Sequence, residues 1–243
     1  MHLKVKILFL ICLSTSLLCL GQVEDTVVNM VDYHQEMAGQ VFLHTSGFGI
    51  NFRRATHITA YKKRMLDMDL CTMAHPKSYV IPSSQINNSL SFVYGELNSL
   101  LLLRAGYGAQ KVIASKSNKS HVEIRMLYAG GLSLCFLKPS YFEIESSGNT
   151  KVFEKFTNAN KSSIKGGAPF SFGFNELSLM PGAYGKMGLS FEYGGALEKV
   201  RAIETGLVVD LYYKDVPILA STKNYPFFVS IYLGVVYGKK WYR

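Results

Sequence analysis

Four side chains in this 243-residue sequence hold the makings of hydrolytic chemistry: His44, Ser46, His75 and Ser78. An imidazole that takes the proton of a hydroxyl, itself oriented by an acid, turns serine into a nucleophile. On a membrane substrate, such a set would make a lipid-modifying enzyme. No spacing joins the four into a recognised motif, and ordinary loop polar groups explain them more plainly, so no catalytic residue and no enzymatic activity are expected. A second group is ionic. Asp67, Asp69, Arg104, Glu123, Arg125, Lys186, Glu192, Glu204 and Asp210 fall at every second position of otherwise apolar runs. Residues on one face at that spacing would form a proton relay, a selectivity ring for solutes, or a set of ion pairs that fills a narrow interior, since buried charges need partners. No His, Cys, Asp or Glu cluster has the spacing of a metal site, and no phosphate-binding loop is present. Neither a metal nor a cofactor is expected. The Gly47-Phe48-Gly49 and Gly106-Tyr107-Gly108 triplets sit in the middle of alternating runs and serve packing.

The elements that must carry these residues are strands. Alternation of apolar and other residues marks a strand with two unlike faces. Phe48, Ile50 and Phe52 alternate with Gly47, Gly49 and Asn51, and Leu66, Met68 and Leu70 with Asp67, Asp69 and Cys71. Leu101, Leu103, Ala105 and Tyr107 oppose Arg104, Gly106, Gly108 and Gln110. The pattern recurs from Val122 to Phe136, Ala183 to Tyr193, Ile203 to Tyr213 and Phe227 to Tyr237. That makes seven clear strands, most of about ten residues or more, as a membrane-crossing strand needs. A soluble sandwich has shorter strands with a polar outer face. Here the second face is Gly with a few charges, which fits a crowded lumen. The expectation is an all-β fold, a transmembrane antiparallel up-and-down barrel of about eight strands with long extracellular loops. Open sheets leave edge amides unpaired in lipid. The eighth strand is expected within residues 27–40, where alternation is weak.

With eight strands the connections sort into two classes. Short turns are expected at residues 54–56, 116–119 and 194–199, and long connections near 74–92, 138–177 and 215–225. Outer-membrane barrels turn tightly in the periplasm and loop outside. Arg53, Arg54, Lys62, Arg64, Lys116, Lys119, Lys199, Arg201, Lys239 and Lys240 then gather at the periplasmic rim. Such a collar would bind anionic lipid headgroups, at about 1 kcal/mol per cation, or an acidic periplasmic partner. Simple interfacial snorkelling is the plainer reading, and Trp241 and Tyr242 beside it suit an interfacial belt. Cys71 and Cys135 face the lumen with one strand between them, so their Cα atoms should lie roughly 10 Å apart, too far for a disulfide.

Residues 1–21 explain how the chain would reach a membrane. Lys4 and Lys6 precede an apolar stretch that ends at Cys19-Leu20-Gly21, the pattern of a cleaved secretory signal with Gln22 as the new N-terminus. The remaining domain is residues 22–243. Two of the nine net positive charges leave with the signal. Export argues against a nucleic-acid partner, and the anticipated partners are outer-membrane lipids and other outer-membrane or periplasmic proteins. With 48% apolar and 18% charged residues the chain is not disordered. Its 15 Tyr, 15 Phe and 21 Gly, without heptads, exclude coiled-coil and helical-repeat classes.

Several strings carry a resemblance: Thr45-Ser46-Gly47-Phe48-Gly49, His75-Pro76-Lys77, Tyr94-Gly95-Glu96-Leu97-Asn98, Gly106-Tyr107-Gly108-Ala109-Gln110-Lys111, Gly130-Gly131-Leu132-Ser133-Leu134, Leu137-Lys138-Pro139, Pro181-Gly182-Ala183-Tyr184 and Tyr237-Gly238-Lys239-Lys240-Trp241. In this order they resemble a group of small outer-membrane β-barrel proteins of Bacteroidota. The resemblance implies a barrel in the bacterial outer membrane and leaves the activity open, while the signal, the two-faced strands and the basic mature chain favour a non-enzymatic role, structural or accessory to an outer-membrane assembly or secretion complex. A small solute pore and a lipid-modifying enzyme are the alternatives. The group supplies no catalytic residues.

Overall fold

The computed structural model describes residues 35–82, 90–115, 122–146, 150–157, 163–193, 198–220 and 222–241. The signal expected at residues 1–21 and the N-terminal part of the weak strand region, 27–34, lie outside them. In chain order the strands are β1 (Gln35–His44), β2 (Gly47–Thr59), β3 (Lys62–Met73), β4 (Val80–Ile81), β5 (Phe92–Val93), β6 (Asn98–Ala114), β7 (Glu123–Pro139), β8 (Tyr141–Ser146), β9 (Thr150–Lys155), β10 (Ile164–Gly167), β11 (Ser178–Glu192), β12 (Lys199–Tyr212) and β13 (Phe227–Trp241). Eight of them, β1, β2, β3, β6, β7, β11, β12 and β13, close into one antiparallel barrel in which every strand pairs with its neighbours in sequence and β13 returns to β1. Closure leaves no edge strand.

Burial alternates residue by residue along these strands. The outward positions are the apolar ones foreseen from the pattern: Leu132 is 75% exposed, Val41 65% and Tyr237 59%. A continuous apolar outer wall of this kind is unsuited to water. The sequence-based strands prove too short. Residues 54–56, expected to turn, lie inside β2, and the hairpin to β3 turns at Ala60 and Tyr61. The reason is that Arg54 and Thr56 point outward near the rim while Arg53 and Ala55 point in, so the polar rim residues imitate a turn in composition. The weak eighth strand is β1, displaced toward the C-terminal side of the expected window. Its alternation is blurred because Gly39 faces out while Phe42 faces in.

One end of the barrel carries the turn at Ala60 and Tyr61 and both ends of the barrel chain; the other carries the long connections and the tight β1–β2 turn at Thr45 and Ser46. The 140–177 connection holds its own three-stranded sheet, ordered β10-β8-β9. Phe142 packs edge-on against both Phe92 and Phe156, tying that sheet to β5. The segment between β12 and β13 folds inward over the barrel mouth. Leu97 N–H donates to Ile218 O at 2.8 Å and Ala220 N–H to Gly95 O at 2.9 Å. Asn98 Nδ2 donates to Pro217 O at 2.8 Å. Asn224 Oδ1 accepts the amides of Ile218 and Leu219 at 3.0 and 3.3 Å.

Candidate functional site

The lumen is filled in three layers. Toward the loop end it is apolar: Phe42, Met73, Leu100, Leu102, Leu137 and Tyr212 pack beneath Val216, Ile218 and Leu219 of the roof, all buried. The small-and-polar interior expected from the sequence therefore holds only below this layer. Cys71 and Cys135 belong to the apolar layer as free thiols. Both register against Leu102, Cys71 on one side and Cys135 on the other, so a strand does separate them.

The middle layer is ionic. Arg53 places Nη1 and Nη2 on the two oxygens of Glu204 at 2.9 and 3.1 Å, and Nε on Asp67 at 3.0 Å. Arg104 grips Asp210 through Nε and Nη2, both at 2.7 Å. Lys186 Nζ lies between Asp67, at 3.1 Å, and both oxygens of Asp69, at 3.3 Å. Asn51 Nδ2 donates to Asp67 at 2.9 Å and Asp69 at 2.6 Å. Tyr232 OH donates to Glu204 at 3.0 Å. Three cations thus meet four carboxylates, each nearly or wholly shut off from solvent. Fork geometry and neutral donors satisfy the lone pairs, which is what makes buried charges tolerable.

Glycine pairs make room for the long side chains. Gly106 registers with Gly131, and Gly188 with Gly206. A Cβ on Gly106 would lie 2.6 Å from Tyr184 OH, and one on Gly188 would lie 2.7 Å from Tyr232 OH. The tyrosines lie across strands whose inner faces are bare.

The turn-end layer is again ionic. Lys63 Nζ meets Glu36 at 2.5 Å and His57 Nε2 lies 3.4 Å from the same carboxylate. Lys240 Nζ donates to Glu192 at 2.9 Å. Arg125 pairs with Glu123 and lies 3.7 Å from Glu192.

All nine lumen charges singled out from the sequence are brought together here. Arg53 was assigned to the collar; it is 3% exposed and belongs to the lumen instead. Lys240 likewise turns inward. Arg54, Lys62, Arg64, Lys199, Arg201 and Lys239 are exposed on the outer wall near the turn end, and Arg54 Nη2 donates to Gln35 at 3.1 Å. Lys116, Lys119 and Tyr242 lie outside the described residues. Sequence reasoning missed Glu36, Asn51, His57, Lys63 and Tyr232 as network members. For Arg53, Asn51 and Lys63 the signal was present, because Lys63 shares the parity of Asp67 and Asp69 along β3 and Arg53 and Asn51 register with those two from β2.

The hydroxyl and imidazole set does not assemble. His44 Nδ1 accepts the Ser46 amide at 3.3 Å and Nε2 lies 2.9 Å from Thr72 O, which selects the neutral ring with its proton on Nε2. His75 Nδ1 accepts the Lys77 amide at 3.1 Å, and the Ser78 amide donates to His75 O at 2.9 Å. Burial, then the Lys77 charge, holds the His75 imidazole below its ordinary range. Both rings are engaged by backbone. Among the described residues no group of His, Cys, Asp and Glu has the arrangement of a metal site.

No protein-family model matches the chain, and no curated protein does. Among solved structures, Neisserial surface protein A is similar at 11% identity and a TM-score of 0.40, with 86% of this chain and 97% of that one covered. Ail, the attachment invasion locus protein of Yersinia pestis, is similar at 7% identity and a TM-score of 0.39, covering 86% and 100%. The N-terminal β-barrel domain of Pseudomonas aeruginosa OprF follows at 9% identity and 0.33, covering 86% and 98%. At these values nothing about role transfers to this chain.

Proposed function

We propose that the chain is an integral protein of the bacterial outer membrane, exported by a cleaved signal at residues 1–21, without enzymatic activity. Its role is structural, or that of an accessory subunit in an outer-membrane assembly or secretion complex. The observation that carries this reading is a closed barrel whose outer wall is apolar and whose lumen holds one apolar and two ionic layers of buried side chains. The wall calls for lipid, because only a closed barrel or a helix satisfies its backbone there. The buried layers across the lumen favour surfaces over a channel as the working parts. The resemblance of several strings to small Bacteroidota barrels supports the same location.

A folded barrel extracted from outer membranes should migrate faster on gels before boiling than after. Recovery of the protein from the soluble periplasmic fraction would end this reading. The solute-pore alternative requires an open path, and planar-bilayer recordings of folded protein should show no conductance steps. Regular unitary steps would replace the accessory role with transport. The enzymatic alternative predicts altered lipid A or phospholipid profiles when His44, Ser46 and His75 are each replaced by Ala. The rings' backbone bonds argue for unchanged profiles.

A further inference from the structure

The outer wall is not uniformly covered by side chains. Cross-strand registers give two neighbouring rows on β3, β6, β7 and β11. One runs Arg64–Ala109–Tyr128–Met187 and the next Leu66–Tyr107–Gly130–Gly185. On β6, β7 and β11 a large side chain in one row therefore stands beside a methyl or nothing in the other. A Cβ added at Gly185 would meet no atom within 4 Å. Between Tyr107 and Tyr128, above Ala109 and Gly130, the wall sinks into a groove of about 300 Å³. Lys62 and Arg64 stand at its turn-end mouth. Lys111 registers directly beside Lys62. Among the described residues none of these three cations has an ion-pair partner, whereas the buried cations of the same rim, Lys63 and Lys240, are both paired.

We propose that this groove binds one anionic glycerophospholipid of the adjoining leaflet. Its phosphate sits against Lys62 and Arg64, and one acyl chain lies over Ala109 and Gly130 between the two tyrosine rings. The proposal rests on the membrane reading above. A phosphate diester supplies the charge that these exposed cations lack. The depression supplies what a flat barrel wall does not, contact along the chain on both sides. Tyrosines flanking the entry suit the interface, where one end of the ring is apolar and the other wet.

The test uses the full chain extracted from membranes into neutral detergent, checked for heat-modifiable migration. It is then offered equal amounts of phosphatidylglycerol and phosphatidylcholine, and bound lipid is read by native mass spectrometry. The wild type should retain one phosphatidylglycerol in preference to phosphatidylcholine. The pair Lys62→Gln with Arg64→Gln should lower that preference about thirtyfold, from about 1 kcal/mol for each cation. The pair Lys199→Gln with Arg201→Gln should leave it within about twofold of wild type, well inside 1 kcal/mol. Gly130→Val, which fills the groove, should lower retention of both lipids. A well-folded Lys62/Arg64 variant with wild-type preference overturns the site, and so does an equal loss in the Lys199/Arg201 pair, which would make the collar diffuse. A chain found only in the soluble fraction overturns the membrane reading instead, so the two failures are separable.

Discussion

Arg53 is the side chain on which the middle layer depends most, and replacing it with Met measures how much. The guanidinium is 3% exposed and Glu204 is 0% exposed. Arg53→Met removes three charged hydrogen bonds. Asp67 loses one, at 3.0 Å, but keeps Asn51 at 2.9 Å and Lys186 at 3.1 Å. Glu204 loses both of its guanidinium bonds and keeps only Tyr232 OH at 3.0 Å. The cost therefore falls on Glu204, a buried carboxylate left without a cation. Removing one partner of a buried pair costs about 3–5 kcal/mol. A unit-charge contact at about 4 Å with an effective dielectric of about 20 gives a similar figure, about 4 kcal/mol. Glu204→Gln in the same background removes the stranded charge and keeps an acceptor for Tyr232, so the double variant should sit within about 1–2 kcal/mol of wild type, as replaced buried pairs often do. Equilibrium urea unfolding in lipid vesicles, followed by tryptophan fluorescence and gel migration, supplies the three values of the cycle. A single variant costing under about 1 kcal/mol, or additive single costs, would refute the view that these charges hold the lumen shut as pairs.

Gly131→Val should prevent barrel closure, because a Cβ there would lie 2.2 Å from Ala105 O and 2.4 Å from Gly106 Cα; a heat-modifiable band at wild-type yield would contradict it. Asn224→Ala should loosen the roof by about 1–3 kcal/mol, the cost of amides left without an acceptor. Faster hydrogen exchange at Ile218 and Leu219, with the strands unchanged, is the signature. The loop end should also respond to pH. Burial raises the Glu96 carboxyl above its ordinary range, against the pull of Ser140, Ser99 and Lys138. A raised folded value means that stability is full below the unfolded value and is lost as pH rises through the folded one. The protection factors of residues 95–98, which correct for the intrinsic rise of amide exchange with pH, should therefore fall as pH rises above the ordinary carboxylate range, and Glu96→Gln should remove that fall. Glu176 is held low by Lys155 and Tyr141, so its contact is lost only below the ordinary carboxylate range and should not contribute in that window.

The sequence made the barrel legible because a two-faced strand needs only period-2 patterning, and β6, β7, β11, β12 and β13 keep strict parity across both membrane-facing and lumen-facing residues. It failed where a face changes character. In the loop-end half of the lumen, Met73, Leu100, Leu102 and Leu137 face inward, so both faces are apolar and the strand ends lose their contrast. At the turn end the reverse holds, since polar residues occupy both faces of β2. Arg53 was misassigned on composition, although continuing the parity of Asn51 by one step places it inside. The sheet made by β8, β9 and β10 was not legible, because strands of four to six residues are too short to show a period. Pairing within the lumen was not legible either. Parity tells which residues share the interior but not which of them meet across it.

The ionic layer also constrains how the chain can reach its final state. Its partners are far apart in sequence: Arg53 and Glu204 by 151 residues, Lys186 and Asp67 by 119, Arg104 and Asp210 by 106. The β2–β3 hairpin can pair Arg53 with Asp67, but it cannot bring Lys186 to Asp69, Arg104 to Asp210 or any cation to Glu204. Until β1 meets β13, each half of the interior presents unpaired Arg, Lys, Asp and Glu that must remain hydrated. Contacts of such long range come late and together, so strand closure and the pairing of charges across the lumen are one event. A partly assembled barrel of this chain would be a water-filled, charged trough, and the cross-lumen ion pairs exist only after the last strand arrives.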